Sequence, residues 1–79
     1  MSLADNIRHY REKKNITQKE VAEAVGITQQ ALSLFELGVK VPGIITAVDI
    51  AKNLDTTVEQ LVNRLDEGEQ KILKGGAKK

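Results

Sequence analysis

Only Gly26 and Ile27 separate two segments that each carry the marks of a helix, and a joint that short forces the helices to cross steeply. Thr17-Gln18-Lys19-Glu20 has the form of a capping box, in which the threonine and glutamate side chains satisfy backbone donors that the first helical turn leaves open. Val21, Ala22 and Val25 follow as an apolar stripe, and Gly26 stands where a helix stops in the left-handed conformation. Thr28 then caps a further helix running to about Leu37, with Ala31, Leu32 and Phe35 facing inward and Gly38 ending it. At Ala22 anything larger than a methyl group would collide with the following helix. Ile27 and Leu32 fill the angle between the two.

The rest of the chain has the same texture. Ser2 caps a first helix, with Asp5 three residues on and Leu3, Ile7 and Tyr10 at helical spacing; Asn15 and Ile16 end it. Val39 to Gly43 reads as a loop, because Pro42 disfavours helix at Val41. A fourth helix over about Ile44 to Leu54 is expected to bury Val48, Ala51 and Leu54. Thr57-Val58-Glu59-Gln60 is a second capping box, opening a fifth helix with Val58, Leu61, Val62 and Leu65 apolar. The expected architecture is all-α: a compact five-helix domain over residues 1–65, with the steep joint between helices two and three. An extension over 66–79 follows, partly helical through Ile72 and Leu73 and then a disordered tail from Gly75.

Composition removes several classes of function. A chain of 79 residues has room for one core and buries roughly 60% of its unfolded surface. It has no cysteine and a single histidine, His9, so neither a thiolate metal site nor a Ser-His-Asp triad can be assembled. No nucleophile–base pair or phosphate-binding glycine loop is present, no cofactor is expected, and an enzyme is excluded. No apolar run approaches the ~20 residues of a membrane span, and the N-terminus lacks the blocks of a signal peptide, so a cytoplasmic location is expected. Twelve Lys/Arg against 11 Asp/Glu give a net charge of +1, too small to argue for a nucleic-acid partner.

The run Thr17-Gln18-Lys19-Glu20-Val21-Ala22-Glu23-Ala24-Val25-Gly26-Ile27-Thr28-Gln29-Gln30-Ala31-Leu32 resembles the helix-turn-helix of the phage repressor and Cro family. Phe35-Glu36-Leu37-Gly38, Pro42, Ile50-Ala51-Lys52-Asn53-Leu54 and Val58-Glu59-Gln60-Leu61 extend the likeness over roughly Leu3 to Asn63. The resemblance implies a lambda repressor-like domain that reads double-stranded DNA by placing the third helix in the major groove. It implies base contacts from Gln29, Gln30, Ser33 and Leu34, where a glutamine amide matches adenine N6 and N7 and Leu34 meets a thymine methyl. Backbone contacts would come from Gln18, which also braces the first recognition glutamine, from Thr17 and Thr28 at helix N-termini, and from Lys40. Arg11 and Glu36 correspond to a family pair that fixes the recognition helix. The function implied is a sequence-specific transcriptional regulator of repressor type.

One stretch departs from that pattern. Leu37-Gly38-Val39-Lys40-Val41-Pro42-Gly43-Ile44-Ile45 carries one charge where the family usually has basic residues, and five apolar residues in and around a loop exceed what a monomer normally exposes. Three readings stay open, the last being that some of these residues simply cap the core. In the first, Val41, Ile44, Ile45 and Val58 form the contact of a homodimer that binds palindromic operators with half-sites ~34 Å apart. In the second, the fold serves as a protein-interaction or self-assembly module and DNA binding is weak or lost, because phosphate contacts supply much of the affinity.

Overall fold

The computed structural model describes residues 2–62. They form five helices: α1 Leu3–Lys13, α2 Gln18–Val25, α3 Gln29–Leu37, α4 Ile44–Asn53 and α5 Val58–Leu61. Among the described residues there is no strand. No helix there is long and apolar enough to cross a membrane.

The helix boundaries follow from local chemistry. At α1 the Ser2 hydroxyl accepts from the Asp5 backbone at 3.1 Å while Asp5 reaches back to the Ser2 N–H. At α2 the Glu20 N–H donates to Thr17 Oγ1 at 3.0 Å and the Thr17 N–H to Glu20 Oε1 at 2.9 Å. These bonds hold both carboxyl groups below their usual pKa range. For Asp5 the bond with Ser2 is the main cause, and for Glu20 it is the backbone N–H of Thr17. Gly26, at φ +84°, turns the chain out of α2, with its N–H and that of Ile27 both donating to the Ala22 carbonyl. Gly38, at φ +78°, does the same for α3. At Gly38 an added Cβ would lie 3.7 Å from Ala4 Cβ, an ordinary contact, so the backbone conformation and not space demands glycine there.

The core lies where α1 and α2 meet α3, with α4 closing over α2, and α5 seated against α1 and α4. Ile7, Val21, Leu32, Ile50 and Leu61 are fully enclosed. Ala22 is 2% exposed, as its place in the steep joint requires. Ile27 and Phe35 pack against the same cluster from its edge.

Three expectations need correction. Val48 is half-buried, and α4 turns Ala47, Ile50 and Ala51 inward instead. The segment Ile44–Ala51 is apolar at so many positions that periodicity leaves its phase open, and contact with α2 sets it. The second capping box is only half formed. Thr57 accepts from the Gln60 N–H at 3.2 Å, but the Gln60 side chain pairs with the Thr56 hydroxyl and not with the Thr57 backbone. Val62, expected on the apolar stripe, is 46% exposed and caps α5. Leu65, the boundary near residue 65 and the extension 66–79 lie outside the described residues.

One core feature has no counterpart in the sequence reading. Asn6 is buried, and its amide donates to the Leu61 carbonyl at 2.8 Å and the Gln60 carbonyl at 3.4 Å. These are open carbonyls at the end of a four-residue helix. Asn6 therefore ties the short α5 to α1.

Candidate nucleic-acid interface

The joint at Gly26 and Ile27 leads from α2 straight into α3, which packs against α2 and carries exposed side chains on its first turn. Thr28 Oγ1 accepts from the Ala31 N–H at 3.0 Å, so the cap side chain is used within the helix. Gln29 and Gln30 follow at once, both exposed. Donors of the first turn that the cap does not take have no intrahelical partner, and the helix dipole makes this end attractive to negative charge. Thr17, Thr28 and Lys40 are exposed as well, while Gln18, Ser33 and Leu34 are half-buried. A shallow groove of about 390 Å³ runs between the end of α1, the start of α2 and Gln29, with Arg11, Asn15, Thr17 and Gln18 in its wall.

The inner side of α3 is fixed by a carboxylate. Glu36 is 3% exposed at its side chain and Arg11 14%. Arg11 Nε donates to Glu36 Oε2 at 2.7 Å, and Nη2 to Oε1 at 3.0 Å, a two-pronged pairing whose geometry suits guanidinium and carboxylate. The third prong, Nη1, donates to the Ile16 carbonyl at 2.9 Å, so Arg11 also holds the connection between α1 and α2. The bond to Glu36 raises the guanidinium pKa further. A third donor completes the group: Gln18 Nε2 lies 3.1 Å from Glu36 Oε1. Glu36 thus joins the last turn of α1, the first of α2 and the last of α3.

The resemblance implies that Gln18 braces Gln29. The Gln18 amide is directed at Glu36, and among the described residues no hydrogen bond joins it to Gln29. The sequence signal for this is that Glu36 is the lone ionisable residue between positions 28 and 39, and the structure buries it. Such a group must find donors wherever the fold supplies them.

Beyond α3 the surface changes character. Leu37, Val39, Val41, Ile44 and Ile45 are 67–77% exposed, with Lys40 the single charge among them. Val58, grouped with this surface from the sequence, instead leans onto the core cluster. It sits three residues before the fully buried Leu61, so the helical repeat carries both to one side. Pro42, read from the sequence only as a loop residue, is buried.

Comparison with known proteins fits this geometry. The sequence model of the helix-turn-helix family matches residues 7–61. An uncharacterized HTH-type transcriptional regulator of Bacillus subtilis (strain 168), YqaE, is 32% identical over 77 residues. The match covers 98% of this chain and 65% of YqaE, so the chain spans just under two thirds of that relative's length. The P22 c2 repressor, solved in complex with a synthetic operator, superposes with a TM-score of 0.77 at 24% identity, over 80% of this chain and 96% of that one. At that identity the likeness concerns the fold. SinR, described as a master regulator for biofilm formation and solved in complex with DNA, gives a TM-score of 0.73 at 27% identity, over 77% of this chain and 98% of that one. With its two capped helices, its left-handed glycine joint and its outward α3, the chain belongs to the helix-turn-helix family.

Proposed function

We propose that the chain is a cytoplasmic, sequence-specific reader of double-stranded DNA that lays α3 in the major groove and acts as a repressor-type homodimer. The observation that carries this reading is the exposure of Gln29 and Gln30 on the first turn of a helix whose far end is anchored, through Glu36, to two other helices. An amide presents a donor and an acceptor in a fork that matches adenine N6 and N7, and such a pair discriminates by ~1–3 kcal/mol only when its support is rigid. Ser33 and Leu34 are the further base contacts in this reading, while Thr17, Gln18, Thr28 and Lys40 meet the backbone. Gln18 has a second amide hydrogen to give a phosphate while the first is held by Glu36. The homodimer rests on the apolar surface at Val41, Ile44 and Ile45, whose exposure favours a second copy and, with it, a palindromic operator. The same surface supports a second reading, a protein-association module with little affinity for DNA.

Fluorescence anisotropy on random duplex DNA at two salt concentrations separates the readings. A DNA reader binds and loses affinity as salt rises, because phosphate contacts release counterions. An association module shows no appreciable binding at either salt. For a reader, Gln29→Ala keeps the fold and loses discrimination against a changed adenine position in a selected-site assay. Unchanged specificity removes Gln29 from the contact set.

A further inference from the structure

The outward face of α3 also indicates which base pairs it suits, an inference that rests on the reading of α3 as the recognition helix. Gln30, Ser33 and Leu37 stand at i, i+3 and i+7 and share one line along the helix; Gln29, four residues before Ser33, lies beside it. Burial agrees with this assignment. Gln29, Gln30 and Leu37 are exposed and Ser33 is half-covered; Leu32 faces the core and is buried, while Glu36, seven residues after Gln29, lies at the inner edge of the face and is buried against Arg11 and Gln18. Leu34 is half-buried, while Leu37 is 67% exposed at the end of the line.

The chemistry of the line is uniform in one respect. Between positions 28 and 39 the only ionisable side chain is Glu36, and it is turned inward against Arg11 and Gln18. The face therefore offers no guanidinium or ammonium for guanine O6 and N7, and no carboxylate for cytosine N4. It offers two amides suited to adenine, a hydroxyl that accommodates any base, and an apolar end suited to the thymine methyl. We infer that α3 is specialised for A·T pairs and that Leu37 is the residue that contacts a thymine 5-methyl group. From Gln29 to Leu37 the helix rises about 12 Å. At ~3.4 Å per base pair that span corresponds to about three to four steps between the thymine and the adenine that meets Gln29.

The test uses duplexes selected from random DNA by the wild-type chain, with each thymine of the half-site replaced in turn by deoxyuridine, which removes only the 5-methyl group. Wild type is expected to bind about fourfold more weakly at one position, the change that follows from losing one buried methyl. Leu37→Ala, folded by circular dichroism because the residue is largely exposed, is expected to show no penalty there. An equal penalty in both proteins overturns the role of Leu37, and so does a Leu37→Ala protein that loses self-association while keeping the uracil penalty. Selected half-sites centred on G·C pairs overturn the A·T specialisation. Failure to select any duplex removes the recognition-helix reading itself, and the inference falls with it.

Discussion

Removing the Glu36 carboxylate tests whether the orientation of α3 is held by polar bonds or by apolar contact alone. Glu36→Ala takes the acceptor from three donors, Arg11 Nε, Arg11 Nη2 and Gln18 Nε2, and leaves Arg11 with the Ile16 carbonyl. Breaking one side of a buried pair costs about 3–5 kcal/mol, because the remaining charge stays desolvated. Arg11 keeps one hydrogen bond and 14% of its side-chain exposure, which places the expected loss at the lower end, about 3 kcal/mol. A domain of this size has a total stability of about 4–12 kcal/mol, so the variant is severely weakened but measurable. With a urea dependence near ~1 kcal/mol per molar for so small a chain, the midpoint falls by about 3 M. The double variant Arg11→Met/Glu36→Leu replaces the pair with apolar groups and is expected to regain most of the loss. The cycle of single and double variants, read by helical circular dichroism in urea, isolates the coupling. A loss below about 1 kcal/mol for Glu36→Ala would refute the reasoning, since water would then be screening the pair and apolar contacts would be holding α3.

Three further perturbations address the other surfaces. Ile44→Glu places a charge in the exposed apolar surface and is expected to move a dimer to monomer in sedimentation velocity; wild type sedimenting as a monomer at micromolar concentration would remove that surface as a dimer contact. Lys40→Ala, in a dimer that carries two copies, is expected to lower the slope of log affinity against log salt by about 1.8, and an unchanged slope would place Lys40 away from phosphate. Glu20 has its pKa depressed by the Thr17 N–H, so its contribution to stability is present above the unfolded value of 4.5 and is lost as pH falls through the lower folded value. The stability difference between wild type and Glu20→Ala is therefore expected to be full at pH 7 and to shrink below about pH 4.5; a pH-independent difference contradicts the capping role.

The helix ends were legible because their chemistry is local. Ser2 with Asp5, Thr17 with Glu20, and Thr28 each cap within three residues, and Gly26 and Gly38 announce left-handed stops. What the sequence hid is long-range or ambiguous in phase. Asn6 finds its acceptors at Gln60 and Leu61, more than 50 residues away, and no periodic signal marks an asparagine that will be buried. The meeting of Gln18 with Glu36 depends on how steeply two helices cross, which spacing alone bounds without fixing. The inward turn of Ile50 in place of Val48 reflects a helix apolar on several sides, and Val58 was drawn to the surface group by composition although its partner Leu61 pulls it inward. At the site, the exposure of Gln29 and Gln30 follows from the joint, which could be read from Gly26 and Ile27 alone.

Amide chemical-shift mapping of the isotope-labelled chain, as a duplex selected from random DNA is added, tests the placement of the interface most directly. The account predicts the largest changes at Thr17–Lys19 and Thr28–Ser33, the two helix starts that flank the groove, with the buried Ile50 and Ala51 of α4 little affected. Changes confined to Val39–Ile45, with the first turn of α3 silent, would contradict it.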